Sequence, residues 1–169
     1  MNRCYSTLVV LLLLTTSTLG QELPPPLNDE FLDFLVGDWN GTSLHEGKPV
    51  YDRSTIGWGL NHQFLIFREV IPPTGPPQYE LHGYMTYDRD ARKYLSFWFD
   101  VAGTAHQLEG RRQGETLRWE GITALGRSIC SYTRESPQRF RISLQVMEQD
   151  GSWKKLPDIV RERRSATSH

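Results

Sequence analysis

The chain of 169 residues has two cysteines, Cys4 and Cys130, too far apart to form a CxxC pair. It has no HExxH motif and no regularly spaced histidine pair. His45, His62, His82 and His106 fall on separate segments, so no metal site is expected. A nucleophile elbow is absent as well. In "GRSIC" Cys130 follows Ser128 where the second glycine of GxSxG would stand. No glycine-rich phosphate loop is present. Charge of one sign is also lacking: 19 Lys and Arg meet 20 Asp and Glu, a net −1. That balance supplies no electrostatic attraction to nucleic acid or an anionic membrane. Long apolar runs are scarce, and the single clear one lies at the start.

That run is "LVVLLLL", Leu8 to Leu14, preceded by Arg3 and followed by "TTSTLG". Thr18 and Gly20 take the −3 and −1 places of a cut before Gln21, the layout of a secretory signal peptide. A membrane span needs about 20 apolar residues, and Thr and Ser interrupt this segment. A lipid anchor would need cysteine at the cut. Gln21 stands there instead, and Cys4 precedes the apolar run. The expected location is therefore secreted or periplasmic, with residues 1–20 removed. Of 169 residues 149 then remain, at a net charge of −2, with Cys130 alone and no internal disulfide. Stability must come from packing a core, which aromatics at 11% can supply.

Along the chain, "QELPPPLN" (21–28) reads as an extended, proline-rich spacer. In "NDEFLDFLV", Asn28 or Asp29 can cap a short helix with Phe31, Phe34 and Leu35 on one face, ended by Gly37. The period then changes to two. "STIGWGL", "YELHGYMTYD", "KYLSFWFDV" and above all "RFRISLQVM" alternate apolar with polar or small residues. Gly-punctuated segments between them bring the total to nine or ten strands in one domain, residues 29–164, with 165–169 a disordered tail. In the hairpin around Asp90 and Ala91, paired residue numbers sum to 181. Gly83 then faces Trp98, Met85 faces Ser96 and Tyr87 faces Tyr94, and the glycine leaves space for the indole. A slip of one residue would exchange the two faces of this hairpin.

"FLVGDWNG" (34–41) places Trp39 between Gly37 and Gly41, just after the helix. One reading is a barrel whose mouth is covered by the helix, with Trp39 as its floor and the glycines as sharp bends. The other is a buried Trp between turn glycines in any β protein. "FLVGDWNGTS" resembles the Gly-x-Trp-x-Gly opening of the calycins, the lipocalin-like superfamily. "LHGYMTYDRDARKYLSFWFDVAG" is similar to an uncharacterised lipocalin-like family, a domain of unknown function related to nitrobindins. Gly83, Tyr87, Asp88, Tyr94, Trp98 and Asp100 match its pattern in order, and the likeness spans about residues 30–163. The resemblance implies an all-β, up-and-down antiparallel barrel of about ten strands with one short N-terminal helix and an internal cavity. It implies no established activity. Nitrobindins hold haem through a His near the C-terminal strand, but "WKKLPDIVRERR" has none. No haem ligand carries over, and no cofactor is expected.

The expected ligand is a small, largely apolar molecule held by Trp58, Tyr87, Tyr94, Trp98, Asp100 and Trp119. Asp100 or a Tyr hydroxyl would fix its orientation. The alternatives are an isomerase or hydrolase using Asp100, with a raised pKa, beside a Tyr or His, or a solid barrel that only contacts another protein. Asp88 reads as a turn residue and "NGT" (40–42) as a strand segment, or a glycosylation site in a eukaryotic host. "RERR" (161–164) reads as a solvated end. Leu95, Phe97 and Phe99 form the opposite face of the Trp98 strand. If Trp98 points inward they form an outer apolar stripe, for which a homodimer is the simplest partner.

Overall fold

The structure is a computed structural model that describes residues 23–73, 75 and 78–165. The expected signal peptide, its expected cut site and most of the expected tail lie outside the described residues. Asp29 starts the helix α1 (Glu30–Leu35), its carboxylate accepting the N–H groups of Phe31 and Leu32 at 3.0 and 2.9 Å. Phe31, Leu32, Phe34 and Leu35 are all buried. Gly37, at φ +137°, occupies a backbone region that suits only glycine and turns the chain into the first strand.

Eleven strands follow: β1 (Gly37–His45), β2 (Lys48–Gly59), β3 (Phe64–Ile71), β4 (Tyr79–Asp88), β5 (Lys93–Asp100), β6 (Ala105–Gln113), β7 (Thr116–Thr123), β8 (Gly126–Ser136), β9 (Arg139–Met147), β10 (Trp153–Lys155) and β11 (Ile159–Arg163). Each of β1 to β9 pairs antiparallel with the next, β9 pairs with β11, and β11 pairs back to β1. Ten strands thus close an up-and-down barrel that leaves no open edge. β10 is the extra strand. It shares β9 with β11, and the register steps by one residue between them, around Pro157.

Because hairpins alternate, the turns at 60–63, 89–92, 114–115 and 137–138 lie at the helix end of the barrel. Those at 46–47, 72–78, 101–104, 124–125 and 148–152 lie at the other. α1 covers the first end. Trp39 is fully buried beneath it, edge-on to Phe34 and Phe140 with centroids 5.7 and 4.7 Å away. Leu65, Met85 and Leu117 complete a solid layer around that floor.

The spacer does not stand away from this layer. Leu27 is buried, its N–H bonds to the His62 carbonyl at 3.0 Å, and Gln63 and Arg89 donate to proline carbonyls at 24–26. The chain is strapped across the helix end before α1 begins.

The β4–β5 register pairs Gly83 with Trp98, Met85 with Ser96 and Tyr87 with Tyr94. Trp98 points inward, and a Cβ on Gly83 would strike its ring. The same device recurs: Gly110 faces Trp119, Gly121 faces Leu108 and Gly41 faces Asp52. Gly41 therefore makes room for a carboxylate, where the sequence suggested a bend. Leu95, Phe97 and Phe99 lie on the outer wall, with Phe99 edge-on to Tyr84 at 6.4 Å and 46% exposed.

Candidate functional site

Above the solid floor the barrel opens. A cavity of about 510 Å³ runs from exposed Leu44 and Leu125 at the mouth to Glu69, Trp119, Tyr132 and Arg161 at mid-height. Ile71, Leu81, Leu108, Ile142 and Ile159 supply aliphatic wall, and Tyr79 and Trp98 more aromatic surface. The volume suits a small organic molecule, and a mostly apolar wall with a few polar groups is the usual character of a binding site.

A second hollow, about 610 Å³, lies at the helix end between Leu27, Asn28, Tyr87, Tyr94 and four arginines, Arg89, Arg92, Arg111 and Arg112. Although larger, it is a surface crevice: Arg89, Arg92 and Arg111 are exposed, and Arg89 is tied to the proline strap. The interior cavity is the stronger candidate because two charged groups of its wall, Glu69 and Arg161, are buried.

The six expected ligand residues are divided by this geometry. Trp98, Asp100 and Trp119 line the interior cavity. Tyr87 and Tyr94 line the arginine crevice, and the Tyr94 hydroxyl donates to the Asp29 carboxylate at 2.5 Å, bracing the helix cap. Trp58 touches neither space. It stacks on His62 at 4.1 Å and donates its Nε1–H to Asp33 of α1 at 2.8 Å. Alternation along a strand decides only which face a side chain takes. Height along the barrel axis separates these residues.

Asp100 does not carry the raised pKa that a general base would need here. Its Oδ2 accepts the Thr104 hydroxyl at 2.6 Å, and its Oδ1 accepts the N–H groups of Thr104 and Ala102. These bonds, led by the Thr104 hydroxyl, hold the carboxyl below its ordinary value of 3.8. The Tyr79 hydroxyl donates to Asp100 at 3.3 Å, and burial with that carboxylate pushes its pKa up to about 12. Asp100 is thus a turn-capping rim carboxylate that stays ionised. Cys130 lines the cavity as a neutral thiol, pushed up to about 12 by burial.

The group missed from sequence lies at the cavity floor. Arg161 is completely buried. Its Nη1 donates to Asp52 Oδ1 and, at 2.7 Å, to Ser54 Oγ; its Nη2 donates to Glu69 Oε2 at 2.6 Å. The guanidinium also sits 5.5 Å from the Phe67 ring centre. "RERR" is therefore no solvated end. Arg163, two residues on, points the same way. It donates to the carbonyls of Val36 and Phe34, the latter at 2.8 Å, and stacks 4.2 Å from the Trp39 ring. With Trp39 Nε1–H donating to Leu35 at 2.8 Å and the Val36 N–H to Asp33 at 3.2 Å, the carbonyls of residues 33–36 each have a donor. A readable signal existed: Arg161 shares its strand face with Ile159, Glu69 with Leu65 and Phe67, and Asp52 with Ile56. Charges on three apolar faces point to a buried network.

Three nitrogens among the cavity-lining residues are buried without a hydrogen-bond partner: Arg161 Nε, Trp119 Nε1 and His106 Nδ1. Burial also lowers the His106 pKa, keeping its ring neutral. Among the described residues, no cluster of three or more metal-ligating side chains occurs. The four histidines remain dispersed, although His45 and His106 both line the cavity.

No family model matches the chain, and no curated protein matches it in sequence. Among solved structures the crystal structure of Rv2717c from M. tuberculosis is similar, with a TM-score of 0.56 and 15% identity. The match covers 81% of this chain and 99% of that one. At this identity the likeness shows the fold alone, a closed antiparallel β-barrel.

Proposed function

We propose that this protein is an exported, lipocalin-like barrel that binds a small, largely apolar molecule in its interior. The cavity of about 510 Å³ carries the reading, because it opens opposite the helix and is walled by Trp98, Trp119, Tyr132 and aliphatic side chains. Such a space would be filled in a barrel that served only as scaffold. The unpartnered Trp119 Nε1–H and Arg161 Nε–H are polar anchors for a bound molecule. Export rests on the Arg3, Leu8–Leu14, Gly20 layout. Kinship with the lipocalin-like family related to nitrobindins belongs to the same reading and rests on Gly83, Tyr87, Asp88, Tyr94, Trp98 and Asp100.

Native mass spectrometry of the protein purified from its own host tests the reading. The expected spectrum shows a mature chain beginning at or near Gln21, together with an adduct that denaturation releases. An empty barrel that also fails to take up any apolar fluorescent probe would refute ligand binding.

A further inference from the structure

The interior of a barrel is an expensive place for charge, and this one holds three charged side chains at one level. Arg161 is shared by Asp52 and Glu69. One guanidinium against two carboxylates leaves a net −1 when all three are ionised. Asp52 sits behind Arg161, against Gly41, and is no part of the cavity wall. Glu69 and Arg161 are part of it. Glu69 gives one oxygen, Oε2, to Arg161, while Oε1 takes part in none of the described hydrogen bonds. Asp100 adds a second carboxylate at the rim. His106 in the wall, its pKa lowered by burial, adds no positive charge.

Resting on the reading of this cavity as a ligand site, we propose that it selects a molecule whose apolar body carries a protonated amine, received by Glu69. The ammonium supplies the positive charge that the three buried groups lack, and it can donate to Glu69 Oε1. An aromatic surrounding of Tyr79, Trp98, Trp119 and Tyr132 favours an organic cation over an anion. A fatty-acid carboxylate would meet Glu69 and Asp100 with like charge. Both Nη groups of Arg161 are already engaged, so the cation nearest the cavity is spent. Arg161 Nε–H and Trp119 Nε1–H remain for an acceptor, a hydroxyl or carbonyl, on the same molecule. In the empty barrel, burial pushes the Asp52 and Glu69 carboxyls up, so that a proton can fill the place of the missing cation.

The test uses three probes with one tail and different heads: decylamine, decanol and decanoate. Each displaces an apolar fluorophore from the mature protein at pH 7. Decylamine is expected to bind at least about tenfold tighter than decanoate. Glu69→Gln, which keeps shape and removes charge, is expected to bring the amine to within about twofold of decanol. Decanoate binding as tightly as decylamine would overturn the proposal, as would an amine preference that survives Glu69→Gln. The head-group ranking of the unmodified protein decides the matter even if that variant does not fold. Failure of all three probes, decanol included, would instead refute the cavity reading on which the proposal rests.

Discussion

Replacing Arg161 by Met removes one charge from the barrel interior and strands two. Asp52 and Glu69 lose their hydrogen-bond donor and their countercharge together. At pH 7 the folded variant can keep Asp52 and Glu69 buried only by holding one more proton than the natural barrel. Holding a proton at pH 7 on a carboxyl whose ordinary value is 3.8 or 4.5 costs about 3–4 kcal/mol, at about 1.4 kcal/mol per pH unit. This agrees with the ~3–5 kcal/mol usual for removing one partner of a buried ion pair.

The same reasoning fixes the pH dependence of that loss. A carboxyl raised on folding imposes a penalty that is absent below its unfolded value and grows as pH rises above it. The loss should therefore shrink to about 1 kcal/mol at pH 5. Urea unfolding followed by tryptophan fluorescence, at pH 7 and pH 5, measures both. A loss below about 1 kcal/mol at pH 7, or one equal at the two pH values, would refute the account of Arg161 as countercharge.

Trp39→Ala should cost about 3–5 kcal/mol in the same assay, because it empties the floor between Phe34 and Phe140 and frees the Leu35 carbonyl. Gly83→Ala should cost about 1–3 kcal/mol, since the new methyl strikes the Trp98 ring. It should also shift Trp98 fluorescence and weaken binding of an apolar probe. Asp100 behaves oppositely to the buried pair. Its carboxyl is lowered, so its stabilising contribution is present above 3.8 and is lost as pH falls through the lower folded value. Asp100→Asn should thus lower the unfolding midpoint at pH 7 and leave it nearly unchanged at pH 2, measured by thermal unfolding monitored by circular dichroism.

Much of the barrel is written in short-range pattern. Period-two alternation marks β4, β5 and β9, and the pairing of Gly83 with Trp98 follows from the turn at Asp90 and Ala91 with no knowledge of the rest of the chain. Helix capping by Asp29 and the turn at Gly37 are likewise local, because each depends on a few neighbouring backbone groups. Trp39 could be placed at a floor because the helix that covers it comes immediately before it.

What only the closed barrel decided is which interior residues share a level. Glu69 is 17 residues from Asp52 and Arg161 is 92 residues from Glu69. They meet because β11 inserts between β9 and β1, a pairing that no local signal in "DIVRER" announces. The same axial ordering sends Tyr94 to the helix cap and Trp98, four residues along the same strand face, to the cavity. Alternation determines inside from outside, since successive Cβ atoms leave a strand on opposite faces. Depth depends on where each strand begins relative to its neighbours, and that stagger exists only once the barrel has closed.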